Sequence, residues 1–274
     1  MFIDSHCHLD FPDLVPEQDA VVARARAAGV SPMLTIGTQF RKSAVVRAVA
    51  ARFDDVFCTV GVHPDHVAEE GETITAADLV AAAADPKVIG FGETGLDYFY
   101  KPPTDLTLAQ YHARQEESFR IHLRAGREAG MPIVIHSRQA EADTARVMAE
   151  EGAGQDPRIT GVMHCFSSGR SLAEAAVAVG FYISLSGILT FKKSDELRAI
   201  AKDVPFDKLL IETDAPFLAP HPLRGQTNEP AFVVHTAKVL AEVKGVSVEE
   251  ISRITTENFY RLFPRAKMAR QGAT

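Results

Sequence analysis

The chain has 274 residues, 46% of them apolar and 24% charged, and carries a formal charge of −7. That length suits one (β/α)8 barrel of about 250 residues, or two small domains. No apolar run approaches the ~20 residues of a membrane-spanning helix, and the acidic balance argues against passive binding of duplex nucleic acid through a basic face.

Short β-rich runs alternate with longer helical patterns along the whole chain. The runs are 2–5 (FIDS), 32–36 (PMLTI), 56–60 (VFCTV), 88–91 (VIGF), 132–136 (PIVIH), 159–164 (ITGVMH), 181–185 (FYISL) and 208–212 (KLLIE). Most are continuously apolar, as parallel strands covered on both faces should be. Helices are predicted at 17–28, 41–52, 75–84, 107–129, 139–151, 171–179, 194–202, 229–243 and 247–262, with Gly29, Gly130, Gly180 and Gly245 standing where periodic segments stop. Eight strand-then-helix units without a break in composition predict a single-domain α/β protein, a (β/α)8 TIM-like barrel over residues 1–264, with 265–274 as a polar C-terminal tail. The alternative is an open doubly wound sheet, but no Gly-rich phosphate loop follows the first run.

The opening MFIDSHCHLD places His6 and His8 one residue apart. Strand side chains alternate in direction, so both imidazoles face the same way and can hold one metal ion. Glu93, His136, His164 and Asp214 occupy the same position, at the carboxyl ends of later runs. In a barrel those ends converge on the active site. A lone histidine at a strand end reads most simply as a satisfied polar residue. Six such residues on matching edges of five strands instead point to a metal centre, and hence to a metal-dependent hydrolase. Their nitrogen and oxygen donors suit Zn, Mn, Mg, Fe or Ni. Six ligands exceed the need of one catalytic ion, and they suffice for two divalent metal ions if a carboxylate bridges them. Ions about 3.5–4 Å apart can clamp both oxygens of an in-line displacement.

Cys7, Cys58 and Cys165 form a scattered set without a C-x-x-C pair, which suits a reducing compartment and buried structural thiols. The N-terminus shows no basic stretch followed by an apolar leader, and His6 and His8 would fall inside one. The expected location is cytoplasmic.

The segments FIDSHCHL, GVHP, GETGLDY, PIVIHSR, HCFS, GFYISLSGILTF, ETDAPFLAP, RGQTNEP and TTENFYRLF follow one another in this order over residues 1–263. Together they resemble the TatD family of metal-dependent hydrolases. The resemblance implies a TIM-like barrel, two divalent metals and deoxyribonuclease activity, often 3′-to-5′ on single strands. The expected partner is DNA, at single-stranded ends, as substrate, with no membrane and no obligate protein partner. Carried onto this chain, it implies His6, His8, Glu93 and Asp214 around one ion and Glu93, His136 and His164 around the other, Glu93 bridging. Two cations would lower the pKa of water from ~15.7 toward ~7 and neutralise charge on a scissile phosphate. Asp214 is then the residue to orient or deprotonate the attacking water, with Glu93 as its catalytic companion.

Further residues carry two readings each. Glu212 shares a strand face with Asp214 and either holds a ligand histidine by a hydrogen bond or pairs structurally. His63 in GVHP contacts a substrate phosphate, lies near the metals or caps a turn. Tyr98 offers a ring for base stacking or packs in the core. Arg138 grips a phosphate or pairs with a loop carboxylate. Arg224 is expected to reach substrate, while Asn228 and Glu229 organise the loop and Pro230 starts the next helix. Two departures bear on substrate: many relatives read RGKRNEP where this chain has Gln226 and Thr227, and HCFSSGR replaces the commoner HCFSGS. The rival reading is a metal-dependent hydrolase of another ester or amide, such as an aminoacyl-tRNA deacylase or a lactonase-like enzyme. A non-enzymatic metal-dependent scaffold or DNA-binding module is the third reading.

Overall fold

A computed structural model describes residues 1–70, 73–103 and 105–271. Eight parallel strands form the sheet: β1 Phe2–Cys7, β2 Val30–Thr35, β3 Val56–Val60, β4 Val88–Asp97, β5 Ile133–Arg138, β6 Gly161–Met163, β7 Tyr182–Leu185 and β8 Leu209–Ile211. Each pairs with the next in sequence. The ring closes where His8 N donates to Ala215 O (2.8 Å) and Asp214 N donates to His6 O (2.9 Å). This is a (β/α)8 barrel, not an open sheet.

The helices follow the strands: α1 Gln18–Ala27, α2 Ser43–Ala51, α3 Val67–Glu70, α4 Ala76–Ala82, α5 Leu108–Ala129, α6 Glu141–Glu150, α7 Arg170–Ala178, α8 Asp195–Asp203, α9 Val233–Lys244, α10 Val248–Leu262 and α11 Pro264–Gln271. Local chemistry sets their ends. Thr107 and Gln110 cap each other's backbone at the start of α5, and Gly130 at φ +63 ends it. Ser247 accepts from Glu250 N at the start of α10.

Two buried clusters build the barrel. One lies between strands and helices. The other joins residues of every strand, such as Leu34, Phe57, Val134 and Leu210, to Phe259, Leu262 and Phe263 near the carboxyl end of α10. Helix α10 is held beside the strands' amino ends, where Ser252 Oγ donates to Met1 O (2.5 Å) and Asn258 Nδ2 donates to Leu209 O (2.9 Å). The amino end of the barrel is thus stoppered with apolar side chains. The buried His6, His8, Glu93, His164 and Glu212 lie at the carboxyl end.

The observed elements differ from the predicted ones in several places. Strands β6 and β8 are shorter than the apolar runs that announced them. Helix α9 starts at Val233, after a 3-10 turn at Pro230–Phe232. The expected tail begins as α11, whose Ala266 is buried and whose Arg265 guanidinium donates to Ala83 O (2.6 Å); residues 272–274 lie outside the described residues. Most consequential, β4 does not end at Phe91. It shifts register and continues through Asp97, pairing Gly95 with His136 and Asp97 with Arg138. Gly95 makes this possible: at φ +135 it packs so tightly that an added Cβ would lie 2.0 Å from His136 O.

Candidate metal centre

The extension of β4 carries Glu93 into the middle of a histidine cluster. The two oxygens of its carboxylate face different sets of nitrogens. Oε2 lies 3.4 Å from His6 Nε2 and 3.9 Å from His8 Nε2. Oε1 lies 2.6 Å from His164 Nε2, 3.0 Å from His136 Nδ1 and 3.3 Å from His63 Nε2. Asp214, in the turn after β8 at φ +59, places Oδ1 3.5 Å from both His6 Nε2 and His8 Nε2. The structure therefore brings His6, His8, Glu93, His136, His164 and Asp214 together at the carboxyl end of the barrel.

The proton positions favour a cation here. His8 Nδ1 faces Ile36 O at 3.3 Å, so the neutral ring carries its proton there and Nε2 presents a lone pair. That lone pair points at His6 Nε2, only 3.2 Å away. His136 Nε2 faces Asp97 Oδ2 at 3.0 Å, which leaves its Nδ1 lone pair for the cluster, 3.2 Å from His164 Nε2. Glu212 Oε1 stands 3.4 Å from His164 Nδ1 and accepts from Cys165 N (2.6 Å). Inward lone pairs beside two carboxylates, on residues that are buried or, for His136 and Asp214, partly buried, are a donor set that a divalent ion satisfies.

Charge in the cluster is strongly coupled. Burial raises the Glu93 carboxyl, yet His164 and His63 outweigh it and hold it well below the usual range. Burial opposes protonation of His8, but its bond to Asp214 prevails and the ring is shifted upward. His164 likewise moves well up against burial, through Glu93 and Glu212. Protons and metal compete for these nitrogens, so uptake of a divalent ion releases protons.

A cavity of about 580 Å³ opens over the cluster. His63 and Arg138 both line it. His63 also sits within ligand reach of Glu93 and His136, and its Nδ1 pairs with Asp65. Arg138 lays its guanidinium 3.6 Å above the Phe99 ring, in place of the loop carboxylate that was the other reading. Tyr98 and Arg224 lie outside the cavity lining. Tyr98 turns away from the cavity: its hydroxyl donates to Asp143 (2.9 Å) and its ring stacks on His112 at 3.7 Å. Arg224 packs over Phe191 at 3.8 Å and donates to Ala219 O, outside the cavity lining. Asn228 ties the loop through Thr213 O and Phe217 O, and Glu229 receives Arg24.

Several residues escaped the sequence reading. Asp97 orients His136, and only the unforeseen length of β4 puts it there. Asp4 is buried beneath His6 and accepts from Thr213 N (2.8 Å) and Thr213 Oγ1 (2.5 Å), fixing the approach to Asp214. Strand alternation with His6 could have found it. Phe11, Tyr100 and Phe217 line the cavity without any pattern in the sequence to mark them.

A family model described as TatD related DNase matches residues 3–264. The chain belongs to the TatD-related DNase family. It is 42% identical over 267 residues to the uncharacterized metal-dependent hydrolase YcfH of Escherichia coli, with 95% of each chain covered. It is 35% identical over 252 residues to a Cronobacter sakazakii protein named 3′-5′ ssDNA/RNA exonuclease TatD, covering 90% of this chain and 92% of that one. Among solved structures it is similar to YJJV, a TatD homologue from Escherichia coli, at a TM-score of 0.86 and 29% identity, covering 96% and 98%. Like the sequence, the described residues contain no helix long and apolar enough to cross a membrane.

Proposed function

We propose that this metal-dependent hydrolase of the TatD-related DNase family uses two divalent ions to cleave phosphodiester bonds at the ends of single-stranded DNA, in the 3′-to-5′ direction. The observation that carries the reading is the division of Glu93, one oxygen toward His6 and His8 and the other toward His136 and His164. His6, His8, Asp214 and Glu93 would hold one ion; His136, His164 and Glu93 would hold the other. Such ions acidify water and neutralise charge on a phosphate. Asp214, whose pKa is lowered against burial by His8 and His6, is a carboxylate at neutral pH and serves to orient the attacking water and accept its proton. Asp97 holds His136 in the tautomer the centre needs, and the Glu212 carboxylate faces His164 Nδ1 at 3.4 Å. Arg138, braced on Phe99, presents N–H donors to a phosphate oxygen. The name of the Cronobacter relative supports nucleic acid as substrate, and the three unpaired cysteines are in keeping with the cytoplasm.

Hydrolysis of a carbonyl ester or amide is the second reading. It is favoured by the position of Arg224, stacked on Phe191 and not at the cavity. Incubation of metal-loaded enzyme with end-labelled single-stranded DNA and, separately, with an ester panel decides between them. Release of mononucleotides, lost in His6→Ala and Glu93→Gln, supports the phosphodiesterase. Ester turnover with intact DNA would overturn it.

A further inference from the structure

Two large half-exposed aromatic side chains, Phe217 and Tyr100, line the cavity, Phe99 stands half-exposed beside Tyr100, and none of them is needed to hold the metal cluster. Phe217 is 49% exposed, Phe99 51% and Tyr100 45%. They fall into two groups. Phe217, in the loop after β8, meets Phe11 edge-on with ring centres 5.9 Å apart, and Phe11 in turn stacks on His8 at 4.4 Å. Tyr100 follows β4 and stands edge-on to Phe99 at 5.4 Å, with the Arg138 guanidinium 5.6 Å above its ring.

Strand order separates the two groups. In a ring running β1 to β8, the β8–β1 seam lies across the barrel from β4 and β5. The metal cluster lies between them. Both groups are anchored: Phe217 O accepts from Asn228 Nδ2 (2.6 Å) and Phe217 N donates to Asp214 O (2.9 Å), while Phe99 N donates to Asp97 Oδ1 (2.8 Å). Half-exposed rings lining a cavity that also holds a guanidinium are what successive bases and their phosphate require.

We infer that the cleft holds an unpaired base on each side of the scissile phosphate, one on the Phe217–Phe11 wall and the other on Tyr100. This rests on the phosphodiesterase reading and deepens it. The smallest good substrate is then a dinucleotide with both bases free, and paired ends are cleaved only as they fray.

The test uses a 5′-labelled oligothymidylate decamer, intact or with one abasic residue at the 3′-terminal or the penultimate position. For metal-loaded wild type, each abasic residue should lower kcat/KM about tenfold or more, the worth of one stacked base. Phe217→Ala should lose a similar factor on the intact strand and become indifferent to the abasic residue at one of the two positions. Tyr100→Ala should become indifferent at the other. Phe217→Trp should restore the sensitivity, and melting temperature and metal content should match wild type throughout. Cleavage by wild type that ignores both abasic residues would overturn the inference and leave the phosphodiesterase reading standing. So would variants that slow intact and abasic strands equally, or that change melting and metal content without restoring sensitivity in Phe217→Trp. No cleavage of any strand by wild type would overturn the phosphodiesterase reading, and this inference with it.

Discussion

Asp97 Oδ2 lies 3.0 Å from His136 Nε2, on the side of the imidazole turned away from Glu93. The carboxylate is itself held below its usual range, by His136 against burial. It therefore fixes the proton of the ring and leaves the Nδ1 lone pair directed at the cluster. Asp97→Ala should lower metal affinity about 10–100-fold with the barrel intact, as loss of such a partner does elsewhere. Competition with a chromophoric chelator measures this. Unchanged affinity would mean that His136 is oriented by its packing alone.

Gly95 is the point where β4 passes closest to β5, and its φ of +135 is closed to ordinary side chains. In Gly95→Ala the added Cβ would overlap His136 O. Backbone strain and overpacking together should cost on the order of 3 kcal/mol or more. Urea denaturation should show a lower midpoint, accompanied by loss of bound metal because His136 must move.

His122 lies in the core far from solvent, accepting from Val62 N at Nε2 (3.1 Å) and facing Ser118 O at Nδ1 (2.7 Å). Burial lowers its pKa from the ordinary 6.5 to about 4. The unfolded chain therefore binds the proton first as pH falls. Stability from this group is complete above pH 6.5 and is lost between 6.5 and 4, by roughly 3 kcal/mol in total. His122→Leu should be less stable at pH 7.5, because Val62 N loses its acceptor, and its urea midpoint should fall less steeply between pH 6.5 and 4. Parallel pH profiles for wild type and variant would contradict the assignment.

Arg138 has its guanidinium plane supported by Phe99. Arg138→Ala should raise KM for single-stranded DNA about tenfold, the weight of a charge-assisted hydrogen bond, while metal content stays at the wild-type level. Arg138→Lys should recover only part of this, because an ammonium neither stacks nor forks. Steady-state kinetics on end-labelled strands separates KM from kcat.

The barrel was legible because its strands are buried on both faces and so appear as continuous apolar runs between amphipathic helices. The edge of the site was legible because His6, His8, Glu93, His136, His164 and Asp214 each follow such a run. What stayed hidden depends on distance through space. The apolar run of β4 stops at Phe91, and nothing in GETGLD announces that the strand continues to Asp97 after a register shift. That continuation turns Tyr98 toward Asp143 and His112, leaving Tyr100 to face the cavity. Arg224 looked like a cation at the mouth, but its choice of Phe191 depends on a loop fold that local sequence does not encode.

The claim that Glu93 serves two ions is tested most directly by titrating metal-free enzyme with Mn²⁺ while following mononucleotide release from end-labelled single-stranded DNA. The structure predicts that activity rises until two equivalents per chain are bound, and that Glu93→Gln binds fewer and stays inactive. Full activity at one equivalent, or wild-type activity in Glu93→Gln, would contradict it.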